Sequence, residues 1–147
     1  MFKKILILSL FFFLTACSSD VHFEQAKLSL AGNVFLVDVA DTRAEQAQGL
    51  SGREKLEIDE GMLFVYADKQ SLNFWMKDML FPIDLLWIED NTIVAWQENM
   101  PTPPAGAHLA ELPTYSSPKA VNHVLELPAG TIKRLSLSIG DQVTWKY

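Results

Sequence analysis

Cysteine occurs once in the 147 residues, as Cys17, so no intramolecular disulfide can form and the core must carry stability alone. Basic residues are few, 12 against 18 acidic ones, for a net charge of -6. That balance argues against nucleic acid and anionic lipid surfaces as partners, since neither rewards a negative binding face. The apolar run Ile5–Leu14, broken only by Ser9, is too short to span a bilayer. There is no internal repeat and no low-complexity tract. The three histidines, His22, His108 and His123, match no metal-binding spacing, so neither a metal nor a cofactor is expected. Met62, Met76, Met79 and Met100 read as core filling rather than ligands. Ser116 and Ser117 lack a Gly-x-Ser-x-Gly setting and read as a turn before Pro118, and no catalytic residue is assigned.

The amino terminus is informative. Lys3 and Lys4 precede the apolar run, which ends at Leu14-Thr15-Ala16 and then Cys17. Charge, a short apolar stretch and small residues at a cleavage point form the layout of a secretory signal. The last four residues resemble the bacterial lipobox. The resemblance implies that residues 1–16 are removed and that Cys17 is acylated, holding the chain on a membrane. Ser18 and Ser19, rather than aspartate, follow the cysteine; in the two-membrane pattern this implies the outer membrane, facing the periplasm. Residues 17–25 read as a flexible tether and 26–147 as one domain. Removing the signal takes two basic and no acidic residues, leaving 10 − 18, or -8.

Within the domain the pattern is mainly of strands. Lys27–Leu30 alternates, Ala31-Gly32-Asn33 offers a turn and Val34–Val39 resumes, which predicts a hairpin. Thr42 to Glu45 fits a capping box for a short helix stopped by Gly49. Further strands are expected at Gly61–Tyr66, Leu72–Met76, Val121–Leu127 and Gln142–Lys146. Ile83–Glu89 and Thr92–Gln97 flank Asp90-Asn91 as a second hairpin. Four prolines between Met100 and Pro113 mark a loop, and a helical turn is expected between Thr131 and Leu135. The expected fold is mainly β with one or two short helices, sandwich-like or a partly open barrel.

Several segments are distinctive in their order: Gln48-Gly49-Leu50-Ser51-Gly52-Arg53, Gly61-Met62-Leu63-Phe64, Phe74-Trp75-Met76-Lys77-Asp78-Met79 with Pro82-Ile83-Asp84, and Tyr115-Ser116-Ser117. Val124-Leu125-Glu126-Leu127-Pro128-Ala129-Gly130 and Ile139-Gly140-Asp141-Gln142-Val143 follow. Together they resemble the family called domain of unknown function 192 (DUF192), over about residues 26–146. Ser51 stands where Met is usual and Asp78 where Asn is usual. The resemblance implies a small, mainly β, often exported domain; it brings no established activity.

The residues themselves leave three readings open. In a strand, Trp75 and Lys77 would share one face and Phe74 and Met76 the other. Arg53, Trp75, Lys77, Asp84 and Tyr115 could then form a cleft for a small molecule, glycan or peptide, with an aromatic wall and charged contacts. The simpler alternative is that Arg53–Asp84 or Lys77–Asp84 is a half-buried structural ion pair. The leading functional reading is a non-catalytic envelope module binding through this cleft. A hydrolase would use Asp84 as acid or base, with Lys77 or Arg53 stabilising negative charge, and needs Asp84 exposed. A scaffold would dock a partner through the Pro101–Pro113 loop.

Overall fold

A computed structural model describes residues 21–147. The signal-like segment, Cys17 and residues 18–20 of the expected tether lie outside the described residues.

The chain opens with a hairpin. Strand β1 (Glu24–Leu30) and strand β2 (Asn33–Ala40) pair antiparallel across Ala31 and Gly32, both at positive φ, 48° and 75°. Two left-handed residues give the turn whose twist matches the strands it joins, and glycine takes that conformation without penalty. β1 begins at Glu24, so the last two residues of the expected tether belong to the sheet. Helix α1 (Arg43–Gln48) carries the capping box read in the sequence. The Thr42 hydroxyl accepts from the Glu45 amide at 3.3 Å, and the Glu45 carboxylate accepts from the Thr42 amide at 2.9 Å.

Strand β3 (Glu60–Gln70) returns parallel to β2. The two-residue strands β4 (Asn73–Phe74) and β7 (Tyr115–Ser116) pair only with each other. Strands β5 (Ile83–Glu89) and β6 (Thr92–Met100) form the second expected hairpin. After the proline-rich loop, which holds one 3-10 turn at Leu109–Glu111, come β8 (Val121–Pro128), α2 (Thr131–Leu135) and β9 (Val143–Lys146). The main sheet runs β6-β5-β8-β3-β2-β1-β9 and curls into a half-barrel, so the fold is mainly β with two short helices. No helix among the described residues is long and apolar enough to cross a membrane.

Two differences from the sequence reading matter for the site. Leu72, Phe74 and Met76 do turn inward alternately, but the strand stops at Phe74 and the chain turns at Lys77 and Asp78, where Asp78 has φ 55°. Trp75 and Lys77 are therefore not neighbours on one strand face. Ser116, read with Ser117 as a turn, pairs in β7 instead, with Tyr115 opposite Phe74.

Both faces of the central strands are covered, which is why β5 and β8 read as nearly continuous apolar runs. On the first face, inside the curl, Leu63, Leu86, Leu125 and Leu127 pack with Val37 and with Ile132 of α2. On the second, Met62, Phe64, Leu85, Trp87 and Val124 pack under Leu50, Met76 and Met79 from the irregular segments. The strands close tightly at Gly61. A Cβ there would lie 2.8 Å from the Glu126 carbonyl oxygen and 2.9 Å from Leu127.

Candidate functional site

Register places a polar row on the second face of the sheet. Asp38 of β2 stands beside Met62 of β3, Met62 beside Glu126 of β8, and Glu126 beside Leu85 of β5. At about 4.8 Å between neighbouring strands, Asp38 and Glu126 are some 10 Å apart in backbone. Two carboxylates thus face the same covering layer, formed by α1, the turn behind it and the segment around Trp75.

That turn is clipped in place. The Gly52 amide donates to the Asp78 carbonyl at 2.9 Å, and the Ser51 hydroxyl donates to the Lys77 carbonyl at 2.9 Å. The clip delivers Arg53 to Asp38, Nη2 to Oδ2 at 2.6 Å, with both side chains partly buried. Gln25 of β1 donates to the other Asp38 oxygen at 3.0 Å, and the Arg53 guanidinium lies 5.2 Å from the centroid of the Phe23 ring. A cation over a ring face adds on the order of 0.5–1 kcal/mol at a partly exposed site.

Glu126 is different. It is 5 % exposed, and its Oε2 is buried without a hydrogen-bond partner among the described residues. Burial penalises the charged form and pushes its carboxyl up to about 8, although the positive charge of Arg53 pulls the other way. At neutral pH this is a protonated acid inside the fold. Burying a polar oxygen without a partner costs about 1–3 kcal/mol, so the position is held against a local penalty.

Above Glu126 lies a cleft of about 100 Å³, walled by Phe64, Tyr66 and Phe74, roofed by Gly49 and Leu50 of the clipped turn, with Trp75 at its mouth. Phe64 and Phe74 meet edge to face at 4.9 Å, and Phe74 meets Trp87 the same way at 5.5 Å. This ring stack fixes the wall. Tyr66 has its phenol pushed up to about 12, mainly by burial and then by the nearby Glu126 carboxylate, so it stays a neutral hydroxyl. Trp75 is 53 % exposed and free to report on anything entering.

The residues singled out from the sequence are distributed as follows. Trp75 lines this cleft, and Arg53 lines the adjoining depression beside Asp38. Tyr115 backs Phe74 from β7. Lys77 contributes its carbonyl to the clip, while its ammonium pairs with Asp78 at 2.5 Å in solvent, a contact of small energetic weight. Asp84 belongs elsewhere: it is 0 % exposed on the first face, and its carboxylate accepts from the Asn99 amide at 2.8 Å and the Ile132 amide at 2.9 Å. Neither Arg53 nor Lys77 is its partner. An acid or base for a hydrolase must meet its substrate, and Asp84 is closed off by backbone donors.

Glu126, Asp38 and Tyr66 were not singled out from the sequence. The available signal was a carboxylate inside an apolar run: Glu126 in Val124-Leu125-Glu126-Leu127, and Asp38 in Phe35-Leu36-Val37-Asp38-Val39. Such residues are costly to bury, and their presence in strands marks them. No group of three or more His, Cys, Asp or Glu side chains among the described residues is arranged to hold a metal.

The family model for DUF192, described as "Uncharacterized ACR", matches residues 26–145. The chain belongs to the DUF192 family. Solved structures that share its fold include the following two. One is a protein of Sinorhizobium meliloti 1021 proposed to be a transcription regulator; it is 31% identical, with TM-score 0.74, covering 86% of this chain and 97% of its own. The other, of unknown function, is from Novosphingobium aromaticivorans DSM 12444; it is 26% identical, with TM-score 0.72, covering 88% and 89%. Among curated proteins none matches this DUF192 chain.

Proposed function

We propose that this DUF192 protein is a non-catalytic, exported lipoprotein of the bacterial cell envelope that binds a small molecule in the cleft between Glu126 and Trp75. The observation that carries the binding reading is the buried, unpartnered Glu126 carboxyl at the floor of an aromatic-walled cleft. An unpaired acid beneath an aromatic wall offers a guest the hydrogen-bond partner that the fold does not supply. Among the described residues lining the cleft, the Ser51 hydroxyl donates to the Lys77 carbonyl rather than to a base, so binding rather than turnover fits its chemistry. Glycans and peptides, expected as alternatives from the sequence, would engage it only through a terminal group, because the volume is small. The regulator role suggested for the Sinorhizobium relative stays with that protein; a net charge of -6 opposes nucleic-acid binding here.

The lipid anchor rests on Leu14-Thr15-Ala16-Cys17 after a charged and apolar leader. With Cys17 acylated, the domain stays near the membrane without a basic surface of its own. Substituting Cys17→Ala should move the protein from the membrane fraction to the soluble fraction, and unchanged membrane association would reject the anchor. For binding, Trp75 emission should shift on titration with a panel of sugars, amino acids, amines and short peptides. A panel that leaves the spectrum unmoved rejects the cleft as a site.

A further inference from the structure

The cleft is small and chemically one-sided. Its volume of about 100 Å³ is well below the ~300–1,000 Å³ of a pocket that encloses a whole drug-sized ligand, so it suits a head group. Among the described residues its lining includes one acid, Glu126, and no Lys, Arg or His. Four aromatic side chains, Phe64, Tyr66, Phe74 and Trp75, share the lining with the neutral polar Gln46, Gln48, Ser51 and Asn73, and Gln46, Gln48 and Ser51 already donate to the Val65, Ser51 and Lys77 carbonyls. Ring faces carry negative charge density, and a carboxyl can become a carboxylate. We propose that the guest's anchoring group is an alkylammonium, seated on the Glu126 carboxylate and walled by these rings.

This assignment rests on the cleft being a binding site and deepens that reading. A cation gains twice, from the carboxylate and from the ring quadrupoles, and the second gain is largest where water is excluded. An anion would meet the acid and the same negative ring faces. A neutral alcohol would gain hydrogen bonds but nothing from the ring quadrupoles beyond contact. Other charges near Glu126 are Arg53, on the turn after α1, and Asp38, on β2; they pair with each other at 2.6 Å, so the repulsion Arg53 offers a cation is largely offset. From β3, Tyr66 faces the acid as a neutral phenol, and from β5 the neighbour is the apolar Leu85.

Entry of the ammonium displaces one proton: the Glu126 O–H bond breaks, its electron pair stays on the carboxylate, and the proton leaves to solvent. The guest keeps all of its own hydrogens. Because the free acid titrates near 8, apparent affinity should rise about tenfold per pH unit below that value. It should level off above 8 and fall once the amine itself loses its proton, near 10 for an alkylamine.

The probes are n-butylammonium, n-butanol and butyrate, which share chain length and differ in head group. Calorimetry at pH 7, in buffers of different ionisation heat, reads affinity and proton release together, and the tryptophan emission change that is lost in Trp75→Phe reads location. The expected result is butylammonium binding on the order of tenfold or more tighter than butanol, with about one proton released and no binding of butyrate. Glu126→Gln should abolish the preference for the amine, and Asp84→Asn, on the opposite face, should retain it in folded protein. Butanol binding as tightly as the amine, butyrate binding in preference to it, or an amine preference surviving in Glu126→Gln would each overturn the assignment. If butanol or a panel compound shifts Trp75 while the amine does not, only the ammonium assignment fails. If no compound shifts it, the binding reading fails as well.

Discussion

Replacing Glu126 with glutamine should make the protein markedly more stable than wild type above about pH 8, and slightly less stable near pH 4. The direction follows from where the proton sits. The folded protein holds the Glu126 proton up to about 8, whereas the unfolded chain releases it near 4.5. Between those values the folded state binds more protons, so wild-type stability falls as pH rises. At about 1.4 kcal/mol per pH unit, the full interval comes to roughly 4–5 kcal/mol, an upper bound since water can enter the opened cleft. Glutamine carries no such charge and shows no such slope. It does bring an extra buried amide donor, worth about 1 kcal/mol against it at low pH. The His123 imidazole is held below its ordinary value by burial against Trp145 and gives a slope of opposite sign, which is common to both proteins and cancels. Urea unfolding midpoints across pH 4 to 9 measure the difference; parallel profiles would mean that Glu126 is solvated or paired.

Asp84→Ala should destabilise the fold by about 3–5 kcal/mol. Asp84 fills an irregularity that the sheet itself creates. Register slips between β5 and β6 from Ile83 opposite Met100 to Leu85 opposite Gln97, so β6 carries an extra residue, and Asn99 there has φ 48°. An extra residue leaves its amide outside the ladder. One Asp84 oxygen takes that amide, and the other takes the Ile132 amide in the first turn of α2, where helices lack internal acceptors. Alanine strands both donors in a site with no exposure. Asp84→Asn keeps one acceptor and turns an amide against a donor, for a loss of about 2–3 kcal/mol. Chemical denaturation measures both, and a loss below about 1 kcal/mol for alanine would contradict this role.

What could be read from the sequence is what depends on near neighbours. The Ala31-Gly32 and Asp90-Asn91 hairpins and the Thr42–Glu45 capping box are each complete within a few residues, and all three formed as expected. Alternation also put Phe74 and Met76 on one face, and both pack into the second-face core. The short β4–β7 pairing was not legible, because Phe74 and Tyr115 meet across 41 positions with only two residues on each side. The partner of Arg53 depended on sheet register in the same way. Asp38 and Asp84 are both aspartates in apolar strands, but register turns Asp38 toward the covering layer and Asp84 into the curl. Glu126 lay inside a family segment that marked the family and said nothing about the side chain's solvation.

The central claim is that Glu126 waits as an unpaired, protonated acid beneath the aromatic cleft. A carbon-detected NMR titration of its side-chain carboxyl carbon, assigned by comparison with Glu126→Gln, tests that claim most directly. The account expects a midpoint near 8 in the free protein. A midpoint at the ordinary carboxylate value, near 4.5, would contradict it.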